Sequence, residues 1–197
     1  MDKPSFSLCV YCGSKPGTDP NFTQAAIEVG TWIGRHGGQL VYGGGRNGLM
    51  GITADATLAA GGRVIGVIPR ALVEKEWAHT GCTELHIVET MHERKAKFLE
   101  GTDALIALPG GPGTFEELFE AITLKKLAQF TKPIVILNTR GYFDAFHLLM
   151  QKAVEERFMP DELKQLFTIV DNPEEVLPAI HNAQAWNKGL NDAGILR

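Results

Sequence analysis

The chain has 197 residues, 44% of them hydrophobic and 21% charged, with a formal net charge of -4. That is enough chain for one large domain with its own hydrophobic core, and the acidic balance argues against a surface built for a nucleic-acid backbone. No apolar run reaches bilayer-spanning length, the first seven residues lack a charged-then-apolar signal pattern, and three cysteines cannot all pair, so a cytoplasmic protein is expected.

In chain order, residues 6–11 read as an apolar strand, followed by a turn-rich loop over 13–18. Asp19 can cap a helix with Pro20 at its first position; Phe22, Ala25, Ala26, Val29, Trp32 and Ile33 share one face, and Gly37-Gly38 stops it. Residues 39–42 form a second strand, running into a glycine-rich loop from Gly43 to Gly51 and a helix to about residue 60. A third strand over 63–68 ends at Pro69, and residues 70–83 read as a loop with one helical turn. A strand at 85–88, a helix at 91–100 and a strand at 104–108 lead to the stretch Pro109-Gly110-Gly111-Pro112-Gly113-Thr114. A helix then runs to about residue 130, followed by a strand at 133–137, a helix at 144–157, a short edge strand at 167–170 and a last helix at 173–185.

Strands alternating with helices throughout predict a doubly wound α/β sheet with mostly parallel strands, as one domain over residues 1–188 and a loosely held tail over 189–197. In such folds ligands bind beyond the carboxyl ends of strands, where both glycine-rich loops fall. The turn at 109–114 opens a helix, whose unsatisfied N–H groups and positive dipole end make an anion site.

Gly43-x-Gly45-x-x-Gly48 matches the dinucleotide fingerprint in letter, but it follows the second strand, and the third strand ends in Ile68-Pro69-Arg70 without an acidic residue to hold a ribose. Neither loop continues into the Gly-Lys-Ser/Thr of a triphosphate-binding loop, and neither H-E-x-x-H nor G-x-S-x-G occurs. Cys9-x-x-Cys12 lies on and just after a strand instead of at a helix start, which favours packing over redox or metal chemistry. A mononucleotide remains the natural ligand.

Thr114-Phe115-Glu116-Glu117 satisfies the capping-box pattern, with Thr114 as N-cap and Glu117 at N3, a structural explanation for both residues. A carboxylate beside a phosphate-binding turn could equally bind sugar hydroxyls, activate water or stabilise a developing oxocarbenium ion. Upstream, Met91-His92-Glu93-Arg94-Lys95 places two cations on one helix; they point in different directions, so at most one faces a given pocket.

Taken together, Gly43-Gly44-Gly45-x-x-Gly48-Leu49-Met50-Gly51, Met91-His92-Glu93-Arg94-Lys95 and Pro109-Gly110-Gly111-x-Gly113-Thr114-x-x-Glu117 resemble the LOG ("lonely guy") family, cytokinin riboside 5'-monophosphate phosphoribohydrolases, many once labelled lysine decarboxylases. Cys9-Val10-Tyr11-Cys12-Gly13-Ser14 and Val67-Ile68-Pro69 support the likeness, which runs from about residue 6 to about 180. The resemblance implies a Rossmann-like homodimer, open to further assembly, that needs no cofactor or metal and takes a small-molecule nucleoside monophosphate, with no nucleic-acid or membrane partner. Arg94 and Glu117 would be the catalytic pair. The substrate and phosphate set would comprise Gly43, Gly44, Gly45, Gly48, Glu76, Lys95, Gly111, Pro112, Gly113, Thr114, Phe115, Glu116 and Thr123. Many cytokinin-activating members have a tryptophan where this chain reads Leu124-Lys125-Lys126, while the long stretch from His79 to His86 and the extended C-terminus resemble the bacterial-type branch. AMP or an N6-prenylated AMP is the expected substrate. The competing expectation is a noncatalytic carrier of a nucleotide or of molybdenum cofactor.

Overall fold

The computed structural model describes residues 4–73, 75, 78–184 and 186. Among these, seven strands form a single sheet: β1 (Ser7–Tyr11), β2 (Gln39–Tyr42), β3 (Arg63–Pro69), β4 (Glu84–Val88), β5 (Ala104–Ala107), β6 (Ile134–Leu137) and β7 (Thr168–Val170). The helices are α1 (Pro20–Arg35), α2 (Gly48–Ala59), the single turn α3 (Arg70–Val73), α4 (Met91–Leu99), α5 (Pro112–Lys126), α6 (Asp144–Glu155) and α7 (Val176–Asn182). Every strand pair is parallel, in the order β4-β3-β2-β1-β5-β6-β7. This is the doubly wound, Rossmann-like α/β sheet that the alternation of elements predicts.

Side chains alternate across each strand, and the two faces bury separate cores. Leu8, Val10, Leu40, Ile106 and Val135 meet α1, α2 and α7, whereas Cys9, Tyr11, Val41, Leu105 and Ile136 meet α4, α5 and α6. The two cysteines of the C-x-x-C therefore project into opposite cores, and burial pushes both thiols well above the usual range. They pack; they do not form a joint site.

Several helix ends differ from expectation: the helix expected to about residue 130 ends at Lys126 and the one expected over 144–157 at Glu155. The last helix, expected over 173–185, opens as a 3-10 turn at Pro173–Glu175, fixed by a capping box between Asn172 and Glu175, and continues as α7 only to Asn182. The expected tail at 189–197 lies outside the described residues.

The chain winds outward from β1 to β4, then returns to place β5 on the other side of β1 and winds outward again to β7. β1 and β5 thus form the topological switch point, where the connections after neighbouring strands diverge and leave a crevice. The register Tyr11↔Ala107 sets the loops after these strands side by side.

Candidate active site

Gly13 N–H donates to the Pro109 carbonyl at 2.9 Å, and Leu108 N–H donates to the Tyr11 carbonyl at 2.8 Å, so the loops after β1 and β5 are tied where the crevice opens. The cleft there has a volume of about 170 Å³ and is lined by Val10, Tyr11, Cys12, Gly13, Ser14, Gly43, Met50, Arg94, Gly111, Pro112, Gly113, Thr114 and Glu117. A larger cavity, about 700 Å³, lies apart from it between α6 and β7, walled by Phe143, Leu148, Met150, Phe167 and Ile169. Volume alone would choose that one, whose wall also carries Asn138, Asp144, His147, Gln151, Lys164 and Thr168; the α5 N-terminus, the buried Arg94 and Glu117 meet at the smaller cleft.

The floor of the cleft is the start of α5. Gly111 is the N-cap and Pro112 the first helical residue, where a fixed φ suits the helix and a missing N–H costs nothing. The expected capping box at Thr114 and Glu117 is therefore corrected: the helix begins three residues earlier, and Thr114 is an interior position of its first turn. The first main-chain helix bond runs from Phe115 N–H to the Gly111 carbonyl at 3.1 Å. The N–H groups of Gly111, Gly113 and Thr114 precede it and have no carbonyl one turn back. They are the anion-receptive donors. Thr114, 4% exposed, packs so closely on the turn that a Cβ at Gly110 would fall 2.1 Å from its Oγ1. Released from capping, Glu117 lies three residues beyond Thr114 on the same helical face and lines the cleft.

Arg94 comes from α4, whose N-cap Thr90 accepts from Glu93 N–H at 3.1 Å. Its side chain is buried: Nε donates to the Val67 carbonyl at 3.1 Å, Nη2 donates to the Gly43 carbonyl at 2.8 Å, and the guanidinium carbon lies 5.3 Å from the Phe98 ring centroid. The cation is thereby held at the cleft wall by main-chain acceptors and an aromatic face.

The glycine loop after β2 reaches the cleft through Gly43; Gly44 and Gly45 serve a neighbouring contact, where Gly44 accepts from His79 N–H at 2.9 Å and Gly45 bridges Ala78. Gly48, at φ +61, starts α2 so close to the loop after β1 that a Cβ would lie 2.3 Å from Lys15 N. Lys95 points elsewhere: its ammonium pairs with Glu116 at 2.5 Å and Glu120 at 3.1 Å, and the Glu116 bond raises its pKa above the usual lysine value. Thr123 donates its hydroxyl to the Phe119 carbonyl at 2.8 Å, and Phe115 joins an aromatic group with Tyr142 and Phe143. Gly44, Gly45, Gly48, Lys95, Glu116, Phe115 and Thr123 are thus not among the cleft-lining residues, and Glu76 lies outside the described residues.

Sequence reasoning left Tyr11, Cys12, Gly13, Ser14 and Met50 out of the site. The signal was the strand-to-turn transition at 11–14, read there as an ordinary loop; only the pairing of β1 with β5 makes it a wall. Burial, reinforced by the Glu117 charge, raises the Cys12 pKa far enough to keep a neutral thiol here. It is not poised as a nucleophile.

An open parallel sheet whose switch point holds a helix N-terminus, a buried arginine and a carboxylate defines a Rossmann-like α/β protein with an anion-receptive cleft. Residues 50–180 match the family model described as "Possible lysine decarboxylase". The chain is 41% identical over 187 residues, covering 91% of itself and 77% of the partner, to "Cytokinin riboside 5'-monophosphate phosphoribohydrolase LOG" of Oryza sativa subsp. japonica. It is 39% identical over 175 residues, 89% of itself and 82% of the partner, to the LOG1 protein of the same description from Arabidopsis thaliana. The chain belongs to this LOG family. Among solved structures, the molybdenum cofactor carrier protein of Chlamydomonas reinhardtii superposes with a TM-score of 0.66 at 22% identity, over 92% of this chain and 98% of that one. The molybdenum cofactor binding protein of Rippkaea orientalis gives the same TM-score and identity, over 92% and 97%. At that identity the likeness is one of fold.

Proposed function

We propose that this protein hydrolyses the N-glycosidic bond of a purine nucleoside 5'-monophosphate, releasing the free base and ribose 5-phosphate. The observation that carries the reading is the convergence on one cleft of the α5 N-terminal donors, the buried Arg94 and Glu117. The 5'-phosphate sits on the N–H groups of Gly111, Gly113 and Thr114, with the Thr114 hydroxyl and the loop at Gly13 and Ser14 beside it. A cleft of about 170 Å³ holds the sugar-phosphate end of the nucleotide and leaves the base toward its mouth.

Cleavage breaks the bond from C1' to the base nitrogen, whose electron pair leaves with the base; water adds to C1', and one proton of that water ends on the base. The barrier is the positive charge that develops on the sugar. Glu117 supplies a fixed negative charge beside it and a hydrogen-bond acceptor for the incoming water, while Arg94 helps hold the anionic substrate in register. The homodimer implied by the family likeness is part of the same proposal. The carrier reading rests on fold likeness alone, whereas relatives near 40% identity carry the phosphoribohydrolase name.

A panel of AMP, N6-isopentenyl-AMP, UMP and adenosine, assayed for free base, tests the proposal. Release from the purine monophosphates with little from UMP or adenosine is expected. Release from adenosine as fast as from AMP would remove the phosphate from the reading.

A further inference from the structure

The loop that follows β6 belongs to none of the motifs of the cleft, yet it reaches the turn at Gly110 that leads into α5. Asn138 anchors it: its Nδ2 donates to the carboxylates of Asp144 at 2.9 Å and Asp171 at 3.1 Å, and its Oδ1 accepts from Phe143 N–H at 2.7 Å. Arg140 occupies the left-handed region at φ +59, a conformation costly for a side-chain-bearing residue, and its Nε donates at 3.1 Å to Asp19, the N-cap of α1. Two residues on, the Tyr142 hydroxyl donates to the Gly110 carbonyl. The Tyr142 ring lies near-parallel to Phe115, centroids 6.4 Å apart, and meets Phe22 edge-on at 5.8 Å.

We propose that Tyr142 is a positioning residue for the anion cradle. The peptide joining Gly110 to Gly111 is planar and trans, so its C=O and N–H point in opposite directions. Holding the Gly110 oxygen on the Tyr142 hydroxyl therefore turns the Gly111 N–H away from Tyr142, and Gly111 lines the cleft. Two consecutive glycines leave this plane without a side chain to fix it, and glycine is the residue most free to rotate. The preceding peptide is fixed separately, through the Pro109 carbonyl and Gly13 N–H at 2.9 Å. Successive peptides of the turn are thus locked by different elements, β1 through Gly13 and the post-β6 loop through Tyr142. Arg140 and Asn138 keep that second brace in place.

The assignment rests on the phosphate reading above, and its test separates the two. Ribose 5-phosphate is titrated calorimetrically into wild type and Tyr142→Phe, which keeps the ring packing and removes only the hydroxyl; KM and kcat for AMP are measured alongside. Loss of one neutral hydrogen bond that pre-orients a donor weakens ribose 5-phosphate binding, and raises KM for AMP, by about three- to tenfold. kcat at saturation changes less than about twofold, and the melting temperature holds. Equal affinity in the two proteins, or a fall in kcat with unchanged KM, would overturn the role of Tyr142 while leaving the phosphate site standing. A wild type that binds neither ribose 5-phosphate nor inorganic phosphate would overturn the phosphate reading, and this assignment with it.

Discussion

Arg94 and Glu117 were legible as single residues because short motifs carry them, and the structure brings both to one cleft. The role of Glu117 as a helix cap was misread, since Thr-x-x-Glu is a cap only if the helix starts at the threonine, and Pro112 starts it earlier. Tyr142 had no legible signal: its partner Gly110 is 32 residues away, and no local pattern announces a hydroxyl bound to a remote carbonyl. Lys125 is the other residue that sequence could not place. It is 2% exposed, no carboxylate pairs with it among the described residues, and burial lowers its pKa from 10.5 to about 8. Below pH 8 the native ammonium bears the full cost of burial. Between about pH 8 and 10.5 the native side chain has lost its proton while the unfolded one keeps it, so folding stability gains as pH rises through that window. Lys125→Met should therefore stabilise the protein by about 1–2 kcal/mol at pH 7, with the advantage shrinking toward pH 10.5. Denaturant melts at both pH values check this, and an advantage independent of pH would contradict it.

At the scale of elements, helix and strand positions followed from apolar periodicity, because a period of two or of 3.6 is a local property. The contacts between elements did not. α1 lies directly on α2 through two glycines: a Cβ at Gly30 would come within 2.4 Å of the Thr53 carbonyl, and one at Gly34 within 2.5 Å of the Thr57 carbonyl. In sequence these read only as small residues on a helix. Their effect is to seat α2 and the Gly43 loop that leads into it. Gly30→Ala should cost about 1–3 kcal/mol by forcing the helices apart, despite the better helix propensity of alanine. A lower urea midpoint is expected; an unchanged or raised midpoint would show that the pair can separate without cost.

For the whole molecule, the alternation of strands and helices indicated a doubly wound sheet, but not the order β4-β3-β2-β1-β5-β6-β7. Apolar strands buried on both faces look alike in sequence whichever neighbour they take. The order is what matters for function: it puts the loop after β1 beside the loop after β5 and turns Gly13 and Ser14 from a turn into a wall of the cleft. The family resemblance was legible because three motifs, spread over the β2, α4 and α5 regions, meet at that one switch point. No helix among the described residues is long and apolar enough to cross a membrane. The most direct measurement is the yield of adenine and ribose 5-phosphate from AMP with wild type and with Glu117→Gln at matched stability. The account predicts equimolar products from wild type and at least about a hundredfold slower release from the variant, with AMP still bound. No release from any purine monophosphate by wild type, or equal rates from the two proteins, would contradict it.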